Sequence, residues 1–167
     1  ARVATGGTGG ICTNAAYHGN SQQVSQLTYV PVAQTKNPNI CAFPFPEKFR
    51  AISDGDDQAI EAAYLHTIDN AIASFQAANI KLAGLLVCPI FANEGLPQIP
   101  AHFMAKAADR VRRAGGLVIS DEVQAGYCRT GKWWGYDVSG FQPDIVVTGK
   151  PMGNGLPLSA CAASQDL

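Results

Sequence analysis

Gly116-Leu-Val-Ile-Ser-Asp-Glu-Val-Gln124 and Asp144-Ile-Val-Val-Thr-Gly-Lys150 decide the fold. Each is a short apolar run rich in Val and Ile, and each ends in charge. The first ends in Asp121 and Glu122, the second in Lys150. Runs of this length, bounded by Gly and Pro, predict buried strands of a parallel sheet. Open α/β sheets keep their ligand sites just past the carboxyl ends of such strands. The pattern therefore predicts an acid and an amine at one rim of one sheet. Asp121 and Lys150 stand 29 residues apart, enough for one crossover between neighbouring parallel strands. The expected architecture is α/β: a three-layer, mostly parallel sheet with flanking helices. Its last strand, Leu158-Ser-Ala-Cys-Ala-Ala-Ser164, is expected to run antiparallel, because the turn from the lysine strand is too short for a crossover.

Composition narrows the rest. At 167 residues the chain reads as a single domain with a core of its own. Hydrophobic residues make up 47% and charged residues 15%, which implies surface that is normally covered. A net charge of −1 with no basic block gives nucleic acid and anionic membranes no electrostatic support as partners. No apolar run approaches the length of a membrane span, and no secretion signal opens the sequence, so a cytoplasmic location is expected. Cys12, Cys41, Cys88, Cys128 and Cys161 are scattered and lack metal spacing, and read as reduced core thiols. No metal site is expected.

Along the chain, Ala1 to Ala4 reads as the tail of a helix, and Thr5-Gly-Gly-Thr-Gly-Gly10 as the turn into a strand over Gly10–Asn14. A phosphate loop would follow a strand and open a helix, the reverse of this order, and a Rossmann-type nucleotide site is disfavoured for the same reason. Asn20 to Arg50, with Pro31, Pro38, Pro44 and Pro46, reads as a long irregular loop with a short helix near Ser21–Leu27. Ile60, Tyr64, Leu65, Ile68, Ile72 and Phe75 recur at helical spacing and predict a helix over Asp56–Asn79. Asp56, Asp57 and Glu61 suit its dipole, and His66 reads as solvated. A buried strand is expected from Lys81 to Ile90. A second helix is expected over Pro100–Ala114, with Met104 in its apolar face and Arg110, Arg112 and Arg113 solvated at its end.

The Asp121–Lys150 pairing suits pyridoxal phosphate. That cofactor needs a lysine to hold it as a Schiff base and a carboxylate to keep its ring nitrogen protonated. Asp121-Glu-Val-Gln-Ala-Gly-Tyr-Cys-Arg-Thr-Gly131, Pro143-Asp-Ile-Val146 and Thr148-Gly-Lys-Pro-Met-Gly-Asn-Gly-Leu-Pro157 closely resemble the signature of class III pyridoxal-phosphate aminotransferases, of fold-type I. The resemblance implies Lys150 and Asp121 as the catalytic pair. It also implies Tyr17, from the aromatic-His-Gly segment Tyr17-His18-Gly19, stacked on one face of the cofactor ring. Val123 would pack on the other face and Gln124 would lie near the ring's 3-oxygen. His18 reads as a local hydrogen-bonding residue at this cofactor site. The implied partners are a small-molecule amino donor and a keto acceptor, in a homodimer of the full-length protein.

Some residues depart from the pattern. Cys88 stands where many class III members carry a glutamate before the proline. Phe91-Ala-Asn-Glu-Gly95 replaces the commoner Gln-Gly-Glu-Gly-Gly. Asn93 and Glu94 are therefore pocket candidates, with an ordinary turn as the alternative. Arg129 and the Trp133-Trp-Gly-Tyr136 cluster are expected to be structural. Residues 1–167 are expected to be a partial domain, the middle of the family's large domain. The phosphate-binding segment and the small C-terminal domain would lie outside it, and the isolated fragment would be inactive. The lysine segment resembles that of class III phospho-lyases as well, so elimination from a phosphorylated amine is the alternative reaction. A non-catalytic packing or dimerisation module is a third possibility.

Overall fold

The computed structural model describes residues 1–30 and 37–167. Its strands are β1 (Gly9–Thr13), β2 (Ile40–Phe43), β3 (Leu82–Val87), β4 (Leu117–Asp121), β5 (Ile145–Thr148) and β6 (Ala160–Ala163). They form one sheet in the order β2-β1-β3-β4-β5-β6. Every pairing is parallel except that of β5 with β6. β4 and β5, which carry Asp121 and lead to Lys150, are neighbours, with Asp121 opposite Val147. β6 is antiparallel, as its short turn requires.

Helices α1 (Arg2–Thr5), α2 (Asp57–Ala77), α3 (Phe103–Arg113) and α4 (Gly135–Ser139) flank the sheet. The Asp56 side chain caps α2 by accepting the Ala59 N–H at 2.9 Å. α2 then buries Ile60, Tyr64, Leu65, Ile68 and Phe75 as the periodicity predicts. On the same side α3 buries Phe103, Met104, Ala107, Ala108 and Val111. Tyr64 meets Phe103 edge-on across the seam, with ring centroids 6.3 Å apart. Ile11, Phe43, Leu85, Val87 and Val118 complete this core from the sheet. Cys12, Ile40 and Ala42 point the other way, onto Leu27 and Val30. This is the period-two alternation of strands. Between β3 and β4 the backbones come so close that a Cβ on Gly84 would lie 2.1 Å from the Leu117 carbonyl oxygen.

Several expectations need correction. The stretch Asn20 to Arg50 is not all loop, because it contains β2, which pairs with β1 (Ile11 opposite Cys41). Four residues between prolines are too few to show a period, and the pairing is supplied by β1. The expected helix near Ser21–Leu27 is a single 3-10 turn, Val24–Leu27. Residues 31–36 of that loop, including Pro31, lie outside the described residues. α3 starts at Phe103 rather than Pro100. Glu61 is buried and pairs with Lys106 of α3 at 2.5 Å. Arg110 and Arg112 are not free in solvent. Arg110 reaches Asp69 of α2 at 3.0 Å, and Arg112 reaches Asp144 at 3.2 Å. Cys128 and Cys161 are exposed, not core thiols. Among the described residues no helix is long and apolar enough to cross a membrane.

Candidate active site

Four adjacent strands, β1, β3, β4 and β5, end on the same side of the sheet, as parallel pairing dictates. The residues that follow them enclose a cavity of about 180 Å³. Tyr17, His18 and Gly19 come from the segment after β1, and Cys88 and Asn93 from the segment after β3. Asp121, Val123 and Gln124 come from the end of β4, and Lys150 from just past β5. The structure thus brings together Tyr17, His18, Asp121, Val123, Gln124 and Lys150, the six residues singled out from sequence.

Asp121 is nearly buried and both its oxygens are engaged. Oδ1 accepts the Val123 N–H at 3.1 Å, and Oδ2 lies 2.7 Å from His18 Nδ1. The His18 and Asp121 side chains are 1% and 11% exposed. His18 is a hydrogen-bonding residue, but its side-chain partner is not local: it is the site carboxylate, 103 residues away. Nε2 of His18 is buried and has no partner among the described residues. Thr28 holds the loop that carries it, its hydroxyl accepting the His18 N–H at 3.1 Å. Tyr17 is 37% exposed and its ring lies 6.1 Å from that of Tyr29. Lys150 opens a 3-10 turn, Lys150–Gly153, directly after β5. Val123 packs beside Gly149, where an added Cβ would meet it at 3.5 Å.

Of the two turn candidates, Asn93 lines the cavity and Glu94 does not. Asn93 donates to the Tyr17 carbonyl at 3.2 Å and accepts from Gln124 at 3.4 Å. One Glu94 oxygen accepts from the Thr13 hydroxyl, and the other is buried without a partner among the described residues. Burial pushes the Cys88 thiol up to about 11, and the negative charges of Asp121 and Glu94 add to the rise. A neutral thiol thus faces the cavity at neutral pH. Arg129 is exposed and does not line the cavity. Tyr127, Trp133, Trp134 and Tyr136 pack on one another, with ring centroids 5.6 to 6.2 Å apart.

Sequence reasoning missed Glu122. It is fully buried, it points away from the cavity, and its carboxylate accepts three hydrogen bonds. Strand alternation was the available signal: next to Asp121, its side chain must face the other way.

The lining fits the pyridine ring of pyridoxal phosphate. It offers a carboxylate for the ring nitrogen, an amine for the aldehyde, and an aromatic and a β-branched side chain for the faces. The cavity is smaller than the ~300–1,000 Å³ of pockets that enclose whole drug-sized ligands. Among the described residues, Lys150 is the only lysine or arginine that lines it.

Residues 2–167 match the family model described as aminotransferase class-III. Diaminobutyrate–2-oxoglutarate aminotransferase of Haemophilus influenzae is 28% identical over 170 residues, covering 99% of this chain and 37% of that protein. Acetylornithine aminotransferase of Mycobacterium tuberculosis is 32% identical over 159 residues, covering 95% and 35%. Among solved structures, a phospholyase from Arthrobacter in complex with phosphoethanolamine is 38% identical with a TM-score of 0.89, covering 99% of this chain and 39% of that one. The taurine:2-oxoglutarate aminotransferase of Bifidobacterium kashiwanohense, in complex with PLP and glutamate, shares the fold. It has a TM-score of 0.84 at 24% identity, covering 99% of this chain and 38% of that one. The chain spans little more than a third of the length of these curated relatives.

Proposed function

The chain belongs to the class III aminotransferase family, and from that premise we propose that the protein carrying it is a pyridoxal-phosphate-dependent transaminase. The observation that supports this most is the meeting of Lys150, Asp121 and Tyr17 in one cavity, from three strand ends far apart in sequence. In this reading Asp121 pairs with the ring nitrogen and keeps it protonated, since an adjacent negative charge favours the charged form. His18 and the Val123 N–H hold that carboxylate in place. Tyr17 and Val123 would restrain the ring from its two faces, and Gln124 would lie near its 3-oxygen.

When bound, the cofactor supplies an electron sink for the pair left as a bond at the substrate's α-carbon breaks. The Lys150 amine would be the group that holds the cofactor's aldehyde end, and when released by a substrate amine it would serve as the base that moves the substrate's proton.

A second reading has a specific observation in its favour. The Arthrobacter phospholyase is 38% identical to this chain, above the 28% and 32% of the two aminotransferases. Cys88 and Asn93 also depart from the commoner class III pattern within the cavity. In that reading the same lysine and acid eliminate phosphate from a phosphorylated amine. A single-turnover assay on the full-length protein separates the two. Transamination with an amino acid leaves the cofactor in its amine form, whereas elimination releases phosphate from phosphoethanolamine and leaves the aldehyde form. Lys150→Ala should abolish the visible absorbance of the lysine-linked cofactor, and an unchanged spectrum refutes the assignment of Lys150. We further read the protein as a cytoplasmic homodimer. The five cysteines, free among the described residues, support the location, and the family resemblance supports the homodimer.

A further inference from the structure

Glu122 is the most completely held side chain near the cavity, and nothing in the chemistry above uses it. Its Oε1 accepts the Ser120 hydroxyl at 2.9 Å and the Tyr136 N–H at 3.0 Å. Its Oε2 accepts the Gly135 N–H at 2.8 Å. Its own N–H donates to the Val147 carbonyl of β5 at 2.8 Å, and its carbonyl accepts the Gly126 N–H at 2.9 Å. Five hydrogen bonds thus fix one residue at the end of β4. The carboxylate is 0% exposed and has no cationic partner among the described residues. Burying a charge against neutral donors alone is costly, and it persists only where every donor is aimed.

The neighbours of Glu122 say what the clamp controls. Asp121, Val123 and Gln124 all line the cavity, while Glu122 between them faces the opposite way. Its partner Gly135 sits so tightly that an added Cβ would lie 2.4 Å from the Ala125 Cβ and 2.8 Å from Pro89 Cγ. Gly135 is therefore packed directly against Ala125, next to Gln124, and Pro89, next to Cys88.

We propose that Glu122 is a positioning residue that sets the aim of Asp121 and Gln124 on the cofactor ring. The inference rests on the reading of the cavity as a pyridoxal-phosphate site. Glu122→Gln is nearly isosteric, yet it must place an amide N–H₂ against the N–H of Gly135 or of Tyr136. A donor facing a donor in a buried site loses at least one bond and leaves an N–H unsatisfied.

The test is a cofactor titration of full-length wild type, Glu122→Gln, Asp121→Asn and the double variant, read by the visible band of the bound cofactor. Glu122→Gln should weaken binding about tenfold or more, roughly the effect of one lost buried hydrogen bond. In the Asp121→Asn background the same change should cost less than about threefold, because its effect travels through Asp121. Wild-type affinity in Glu122→Gln overturns the proposal, and so do losses that simply multiply. A residue that served the fold alone would lower the unfolding midpoint without this coupling. If Glu122→Gln does not fold, Ser120→Ala removes a single donor from the same carboxylate. It should weaken binding about threefold, again only when Asp121 is present, and wild-type affinity there overturns the proposal. A wild-type protein that binds no cofactor refutes the functional reading instead.

Discussion

Replacing His18 by phenylalanine removes one of the two donors that hold Asp121. The Oδ2 of Asp121 sits 2.7 Å from His18 Nδ1, and Oδ1 accepts the Val123 N–H at 3.1 Å. At 1% and 11% side-chain exposure, water reaches this pair poorly. A hydrogen bond to a charged group contributes about 1.5–3 kcal/mol, and the upper part of that range applies where the remaining partner stays buried. Phenylalanine leaves no cavity and cannot donate, so the lost donor dominates, offset in part by removal of the buried, unpartnered Nε2. The variant should therefore lose roughly 1.5–3 kcal/mol of stability, measured by equilibrium urea unfolding of the cofactor-free full-length protein. His18→Asn, which keeps a donor on a short side chain, should recover about half. If His18→Phe unfolds within about 0.5 kcal/mol of wild type, the contact does not carry the weight assigned to it. The same variant should bind pyridoxal phosphate more weakly, because an aspartate freed from one tether spends less time aimed at the ring.

Two further outcomes follow from the charges around the sheet. The Cys88 thiol is raised from 9.0 to about 11, first by burial and then by Asp121 and Glu94. Its contribution is fully present below pH 9 and is lost as pH rises through 11, an effect of roughly 2–3 kcal/mol. The stability difference between wild type and Cys88→Ala should shrink by about that much between pH 8 and pH 11, and a constant difference sinks the argument. Asp144 accepts both the Val118 N–H, at 2.7 Å, and Arg112. Arg112→Ala should cost less than about 1 kcal/mol, because the pair is partly exposed. Asp144→Ala should cost about 1–3 kcal/mol, because it strands a backbone donor at the start of β4. A larger loss from the arginine variant contradicts this ranking.

What could be read from sequence, and what could not, divides along a physical line. β4 and β5 were legible because strands covered on both faces read as continuous rather than alternating apolar runs, and Asp121 and Lys150 stood out because they follow such runs. β2 was not legible, since Ile40-Cys-Ala-Phe43 becomes a strand through its pairing with β1 and not through its own pattern. The meeting of Tyr17 and His18 with Asp121 was expected only from the family resemblance, because no local property of Tyr17-His-Gly19 points across 103 residues to its partner. Glu122 was passed over and Arg112 misread for one shared reason. A charged residue in a sequence is assumed to face water unless its partner is known, and here the partners are Gly135, Tyr136 and Asp144, all contributed by the crossover after β4.

That crossover explains why the acid end of the site is so firmly built. It spans the short distance between two paired strands, so whatever holds it also holds their ends. Glu122 ties its middle to β4, Asp144 ties its end to the Val118 N–H of β4, and Lys150 follows two residues after the end of β5. Acid and amine are therefore referenced to the same two strands, and a shift of one relative to the other requires breaking the β4–β5 ladder. The amine end is looser, because Lys150 opens a single 3-10 turn and is exposed. The asymmetry suits the proposed chemistry. A carboxylate that only pairs with a ring nitrogen must stay still, whereas an amine that first holds a carbon and then moves a proton must travel.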